Sequence, residues 1–537
     1  NSKAMKLTDV SRKPYGNKVL MEYCSKSSVH GVVYWSDRYR PYWERFLWIL
    51  LVGVSVILSG IMIQSSWIKW SNHAIAFTLG SQPIHISEIP FPAFTVCSMA
   101  RFQSRLTKYS SLVNGYVVHD RVAKSPEDWE LFDHLSQVCT SDNVWKSFDL
   151  RSINFPKFTN STKIYETLRL YQQDPDAVFS LCNFVMENIS CSTMYQEVFT
   201  KHGRCYTFNG LNHQQMFRHA PSSGNSSLTP LSNWTISRGY HTHRETYPLR
   251  VYQVMPNYGF ELRLKFNASD WDENCFQMGV GAIIHFHDPS EMPLMFERFR
   301  AVTLEDYARI AIHPEMTKTA PELVRYTPHQ RMCFYPGEKY LQHFLIYNEN
   351  NCRVECATNL TLLRCGCVFF YMPHNGSVQL CGKGSLPCYQ KVLREMDKAV
   401  MRNSGVEDKT SCDCLPRCSS INYKTDLIHH KMYLWQKNRS NIDEVLIRIY
   451  FQQTTFIPFQ RSELYGLTEF LASCGGILGL FMGVSVLSLT ELFYFFPVRY
   501  LWNRHNAQED QKNPQQRPKK IIVSPKSHVR LYVRPRF

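Results

Sequence analysis

From Phe470 to Thr490 the chain runs 21 residues without a charged side chain, and Glu491 follows inside apolar sequence that continues to Phe496. The stretch also holds Ala472, Gly475, Gly476, Gly479 and Gly483. On a helix with Gly476 at zero, Ala472 falls at about 320°, Gly479 at about 300°, Gly483 at about 340°, Leu487 at about 20° and Glu491 at about 60°. Ala472, the three glycines and the carboxylate therefore share an arc of about 120°. Such a stripe either lets another helix come close or turns backbone carbonyls toward a cavity. A carboxylate at membrane depth costs about 3 kcal/mol unless it meets water or a partner. Glu491 stands about 12 Å beyond Gly483, where it would concentrate cations and repel anions. The chemistry such a pattern could do is passage of a cation, while plain helix packing would call for the same small residues.

Other residue patterns point to less. HFHD (His285–Asp288) puts two histidines on one face of a strand-like run, but no third residue has metal-ligand spacing. CGC (Cys365–Cys367) and CDC (Cys412–Cys414) would suggest a metal site in a reducing compartment and disulfides in an oxidising one. The region between the two apolar runs has no G-x-S-x-G elbow and no phosphate loop, so an enzyme is not expected, nor is a cofactor or a resident metal.

The elements that would position the stripe are membrane spans. Phe46–Ile68 is a second uncharged run, of 23 residues, with Trp48 and Trp67 near its ends. About 20 residues cross the hydrocarbon core. A pair of buried core helices would pass the same length test, but the charge distribution favours membrane crossings. The net charge is +15; residues 1–45 hold nine Lys/Arg against four Asp/Glu, and residues 497–537 hold ten against two. Basic ends outside both runs put both termini in the cytoplasm of a multi-pass plasma-membrane protein. They do not resemble the folded basic face of a nucleic-acid binder. The expected organisation is a tail over 1–45, a span over 46–68, an outside region over 69–465, a span with the pore over 466–496, and a basic tail over 497–537. All eight N-x-S/T sequons fall in the outside region, at Asn160, Asn188, Asn225, Asn233, Asn267, Asn359, Asn375 and Asn438. So do 16 of the 18 cysteines, which marks this region as disulfide-rich.

Within it, FPAFTVC (Phe91–Cys97) reads as a strand, as do CYTFN, LRVYQVM, FELRLKF and VGAIIHFH between residues 205 and 300. Residues 100–200 read as short helices and loops, and 300–350 as further strands. Residues 352–430 are a Cys-dense block that opens on helix-compatible sequence. Val445–Phe459 alternates as a strand leading into the second span. The class is α+β. Two helices cannot enclose a path, so a pore requires a symmetric oligomer.

Several motifs, taken together and in order, resemble the epithelial sodium channel/degenerin family, which includes the acid-sensing channels. His30-Gly31 matches its cytoplasmic His-Gly pair. Phe91, Pro92, Thr95 and Cys97 match its FPxxTxC segment, and CYTFN (205–209) a palm motif. C-x3-C-x8-C-x-C, with Met372-Pro373 and then CDCLPRC, matches its cysteine-rich thumb, about 333–418. Gly483-Val484-Ser485 matches its G-x-S selectivity belt. The style of HGVVYW and LYGLTEFLASCGGILGLFMG is most similar to the insect pickpocket branch.

The resemblance implies a homotrimer, or a heterotrimer with related subunits, in membrane lipid. Each chain would have two transmembrane helices and an ectodomain of β palm and β-ball with helical finger, thumb and knuckle. It implies a break in the second helix at the belt, Na⁺ as the permeant ion, and block by amiloride-like compounds. Ala472 matches the degenerin position and Gly479 a position associated with amiloride block; Ser473, Gly476, Leu480 and Glu491 complete the expected pore and gate. Ser473 departs from the aspartate of acid-sensing members, and YTPHQRMC (Tyr326–Cys333) lacks their aromatic turn. By order, the implied disulfides are Cys97–Cys205, Cys182–Cys191, Cys333–Cys418, Cys352–Cys414, Cys356–Cys412, Cys365–Cys388 and Cys367–Cys381. Cys139 and Cys275 remain, and we expect them to pair. The expected function is a sodium-selective, amiloride-sensitive channel subunit gated through its ectodomain, compatible with a sensory or chemosensory role. The alternatives are an obligate non-conducting subunit of a heterotrimer and a cell-surface receptor without channel activity.

Overall fold

The computed structural model describes residues 15–37, 39–71, 75–117, 126–139, 154–160, 162–219, 229–240, 247–276, 278–293, 299–402, 412–431, 444–499, 501–502 and 505. The tails 1–14 and 506–537 and the sequons at Asn225 and Asn438 lie outside them. The chain divides into two units, one built from its two ends and one from Ile75–Glu463.

The larger unit is organised by strands that alternate or are apolar throughout. In chain order they are β1 (Ile75–Leu79), β2 (Ala93–Ser98), β3 (Phe179–Phe184), β4 (Glu187–Asn188), β5 (Tyr195–Thr200), β6 (Gly203–Phe208), β7 (Phe260–Lys265), β8 (Gly281–His287), β9 (Phe299–Thr303), β10 (Asp306–Thr319), β11 (Ser420–Lys431), β12 (Glu444–Phe451) and β13 (Phe459–Glu463). The large sheet runs β1-β13-β10-β12-β7-β3-β4, with β11 also paired to β10. The smaller runs β9-β8-β2-β6-β5. β12 alternates inward Val445, Ile447, Ile449 and Phe451 with half-buried neighbours, the pattern of a strand covered on one face. Phe94 of β2 stacks on Phe208 at 4.9 Å and meets Phe260 edge-on at 5.0 Å, joining the two sheets in one aromatic core. Burying one such ring contributes about 2–3 kcal/mol.

β1 and β13 pair antiparallel from Ile75↔Glu463 to Leu79↔Phe459. β1 begins four residues after a helix ending at Ser71, and β13 ends four residues before one starting at Leu467. The two chain connections to the helical unit therefore leave from neighbouring strands.

The strand readings at Phe91–Cys97, CYTFN, FELRLKF, VGAIIHFH and Val445–Phe459 correspond to β2, β6, β7, β8 and β12–β13. Three readings are corrected. LRVYQVM (249–255) forms no strand: the Leu249 carbonyl accepts from Phe91 N–H at 2.7 Å and the Leu249 N–H donates to the Asn209 side chain at 2.6 Å, so no ladder partner engages it. Residues 179–200 are β3–β5 rather than helix and loop. Residues 320–350 hold short helical turns and irregular chain rather than strands.

The cysteine-dense block is stapled helix. Asn348 caps Glu349–Cys365 by accepting from the Asn351 N–H. Cys352 and Cys356 bond to Cys414 and Cys412 of the CDC segment, where the Cys414 N–H turns back to the Cys412 carbonyl at 2.7 Å. Cys365–Cys388 ties this helix to Leu386–Arg402, Cys367–Cys381 closes the turn between them, and Cys333–Cys418 closes the block. Cys97–Cys205, Cys182–Cys191 and Cys139–Cys275 complete eight disulfides, the same pairs as expected. Cys24 and Cys474 are free.

Candidate functional site

In the helical unit one straight helix, Tyr42–Ser71, is by length and composition able to cross a membrane. The second apolar stretch passes that test only as a bent pair: Leu467–Met482 and Val486–Val498 meet at 76°. The break falls on Gly483-Val484-Ser485. Gly483 takes φ +64, a left-handed conformation that glycine adopts freely. Its N–H and that of Val484 fold back to the carbonyls of Gly479 (2.9 Å) and Leu478 (3.3 Å), closing the first segment. Ser485 then starts the next helix, its hydroxyl accepting from the Ser488 N–H while Ser488 reciprocates at the Ser485 N–H. A helix that stops here deprives the carbonyls of its last turn of their i+4 partners, which leaves oxygen atoms for other donors or for an ion.

The break also reorders the expected arc. Trp67 and Trp70 of the straight helix hold Phe470, at ring distances of 5.8 and 5.3 Å, and Ser66 meets Ser473 at 3.2 Å. Ser473 thus faces the neighbouring helix and lies off the stripe. Ala472, Gly475, Gly476, Gly479 and Leu480 are exposed, and a Cβ at Gly475 or Gly476 would meet nothing within 4 Å. The small-residue stripe is therefore not used for packing against the straight helix. Beyond Gly483 the bend removes Leu487 and Glu491 from the arc that a continuous helix would give.

The His-Gly pair sits under the break. The His30 N–H donates to the Met482 carbonyl at 2.9 Å, and a Cβ at Gly483 would stand 2.6 Å from the His30 ring. Gly31, at φ +85, has the same double restriction, because a Cβ there would lie 2.7 Å from Val52. Ser28 reaches further: its hydroxyl contacts Ser488 Oγ at 2.8 Å and donates to Glu491 Oε2 at 3.0 Å. The helix Tyr15–Lys26 is anchored beside this by Tyr23 edge-on to Phe495 and Phe496, and by Glu22 paired with Arg499 at 2.6 Å.

The structure thus brings together His30, Gly31, Gly483, Val484, Ser485 and Glu491, and holds Ala472, Gly476, Gly479 and Leu480 on one open face. Ser28, Ser66 and Ser488 were missed. Ser488, three residues after Ser485, had a visible N-cap spacing; Ser28 and Ser66 had no local signal. Elsewhere, His285 and His287 stack at 5.5 Å, and among the described residues no group of three His, Cys, Asp or Glu is placed to hold a metal. The six described sequon asparagines, Asn160, Asn188, Asn233, Asn267, Asn359 and Asn375, are all exposed.

The chain is similar to known proteins over nearly its whole length. The family model described as "Amiloride-sensitive sodium channel" matches residues 23–495. Pickpocket protein 28 of Drosophila melanogaster is 25% identical over 502 residues, covering 89% of this chain and 78% of its own length. Sodium channel protein Nach of the same species is 21% identical, covering 90% and 88%. Acid-sensing ion channel 4-B of Danio rerio is 22% identical, covering 91% and 77%.

Proposed function

The chain belongs to the amiloride-sensitive sodium channel family, a family of ion channels rather than enzymes, and on that premise we propose that it is a subunit of a trimeric, sodium-selective, amiloride-blocked channel in the plasma membrane. Both termini are cytoplasmic, the straight helix and the bent pair each cross once, and the unit Ile75–Glu463 lies outside. Three bent helices surround the axis. Each turns Ala472, Gly476, Gly479 and Leu480 toward the path and presents the carbonyl belt at Gly483–Ser485.

The observation that carries this reading is the 76° break at Gly483–Ser485 below an exposed face on which, among the described residues, a Cβ at Gly475 or Gly476 would meet nothing within 4 Å. Backbone carbonyls replace part of the hydration shell of Na⁺, and the narrowness of the belt disfavours larger cations. Ala472 lies at the closure point, Gly479 at the blocker site, and Glu491, held by Ser28, raises cation concentration at the inner mouth. His30 buttresses the belt from the cytoplasmic side.

The test is voltage clamp of cells expressing this chain alone, wild type beside Ala472→Tyr, with external Na⁺ exchanged for N-methyl-glucamine. A bulky side chain at 472 prevents closure, so the variant is expected to carry a constitutive Na⁺ current that amiloride blocks. Surface protein without current in the variant would instead favour an obligate heteromeric subunit or a non-conducting receptor.

A further inference from the structure

The larger unit holds a cavity of about 390 Å³ between residues 211–218, 234–238 and 334–347, within the size range of small-molecule sites. Part of its wall is aromatic and dry: Trp234, Phe334 and Phe344 are 5%, 5% and 0% exposed. Four cations also line it, Arg218, Arg238, Lys339 and Arg417, and among the described residues no carboxylate does.

Long cationic side chains often line a cavity only with their stems while the head stays in water. That accounts for Arg238, which is exposed, and for Lys339, which pairs with Asp413 at 3.0 Å. It does not account for Arg417. This side chain is half-buried, its backbone bridges to Phe334, and desolvation lowers its guanidinium pKa. The carboxylates that act on it, Asp288 and Glu291, line a different cavity of about 600 Å³, which Arg417 also borders. Burial, and then Asp288, pushes the Glu291 carboxyl above the usual carboxylate range. A second guanidinium on the wall, Arg218, belongs to a residue that is exposed like Arg238 but is fixed at the wall, its Nε donating to the Leu341 carbonyl at 2.7 Å and its plane lying over Tyr340 at 4.2 Å.

We infer that this cavity is a binding site for a small aromatic carboxylate. Its aromatic body lies against Trp234, Phe334 and Phe344, and its carboxylate is received by Arg417 and Arg218. Arginine matches a planar carboxylate with paired donors, offset aromatic faces add directional attraction, and an anion offsets the desolvation of Arg417. The site lies wholly within the larger unit, and binding there does not depend on conduction.

The test is isothermal titration of the full-length chain in detergent micelles with three isosteric probes: indole-3-acetate, indole-3-acetamide and tryptamine. Indole-3-acetate is expected to bind saturably, one per chain, at least about tenfold tighter than the neutral amide or the cationic amine. Arg417→Gln should weaken it by at least about tenfold, and Arg417→Lys should recover part of the loss. Ser237→Trp, an exposed wall position, should abolish it by filling the cavity while leaving the fold intact. Equal binding of the three probes, no binding of the carboxylate, or undiminished binding by Ser237→Trp would each overturn the inference. Binding retained in a protein that carries no current would leave this site standing and count only against the channel reading.

Discussion

His287 is held in its strand by hydrogen bonds at both ring nitrogens. Its ring is 4% exposed, Nε2 meets the Thr95 hydroxyl at 2.9 Å, and Nδ1 faces the Asp288 carbonyl at 3.0 Å. A carbonyl only accepts, so Nδ1 carries the proton and Nε2 accepts from Thr95, and the neutral ring is fully satisfied. Burial, reinforced by His285 alongside, lowers its pKa to about 3. The unfolded chain takes up a proton near pH 6.5 and the folded one does not, so this group costs stability as pH falls from 6.5 toward 3. The loss approaches about 1.4 kcal/mol per pH unit. Thermal unfolding of the full-length protein at pH 7 and pH 5 checks this. His287→Gln is expected to start less stable at pH 7, because hydrogen bonds are lost, and to fall less on acidification by about 2 kcal/mol. Parallel declines in the two proteins would show that His287 is not the titrating group.

Elements were legible where local chemistry dictates them. Pro90 and Pro92 followed by Phe94, Thr95 and Val96 can only sensibly extend, and Val445–Phe451 alternates because one face of β12 meets the core. The cysteine pairings were legible only through the family resemblance, which implied seven of them by order and left Cys139 and Cys275 as the remainder; spacing alone leaves a disulfide connectivity open. What failed was context. LRVYQVM has strand composition without a ladder partner, while FSLCNF (179–184) is polar at several positions and becomes a strand through its pairing with β7. The arc of small residues was legible, but which face met the other helix was not. Ser473 lies only about 60° from Gly476 on the wheel and yet points at Ser66. That difference is measurable with single cysteines in a Cys24→Ser, Cys474→Ser background. Gly476→Cys is expected to react with a water-soluble thiol reagent applied outside and to lose current within the exposure. Ser473→Cys, shielded by Ser66, should react at least about tenfold more slowly, in keeping with a side chain that is packed rather than open. Equal rates would place both residues on the same water-filled face.

At the scale of the whole molecule, a single chain leaves its functional surface unfinished. Leu480, Val486 and Leu487 are 81%, 77% and 72% exposed, on the segments that flank the break. Lipid can cover the outer surface of a straight helix, but a carbonyl belt and a glycine face opening on hydrocarbon would leave polar backbone unsatisfied. Copies arranged about an axis, as proposed, would resolve this, because each bent helix would complete the wall of its neighbours. The number of copies can be read from a dominant variant. Gly483→Ala must hold alanine at φ +64 and bring its Cβ within 2.6 Å of the His30 ring. The left-handed conformation alone costs about 1–2 kcal/mol, and the contact forces the His30 ring to shift from its place against the break. The variant is therefore expected to reach the surface and carry no current. Expressed at equal levels with wild type in an Ala472→Tyr background, one such chain should silence any pore it enters. If three copies make the pore, the residual current is about one-eighth, the cube of one-half; two copies would leave about one-quarter. A residual near one-half would mean that each chain conducts alone, and a shared central path would then be excluded.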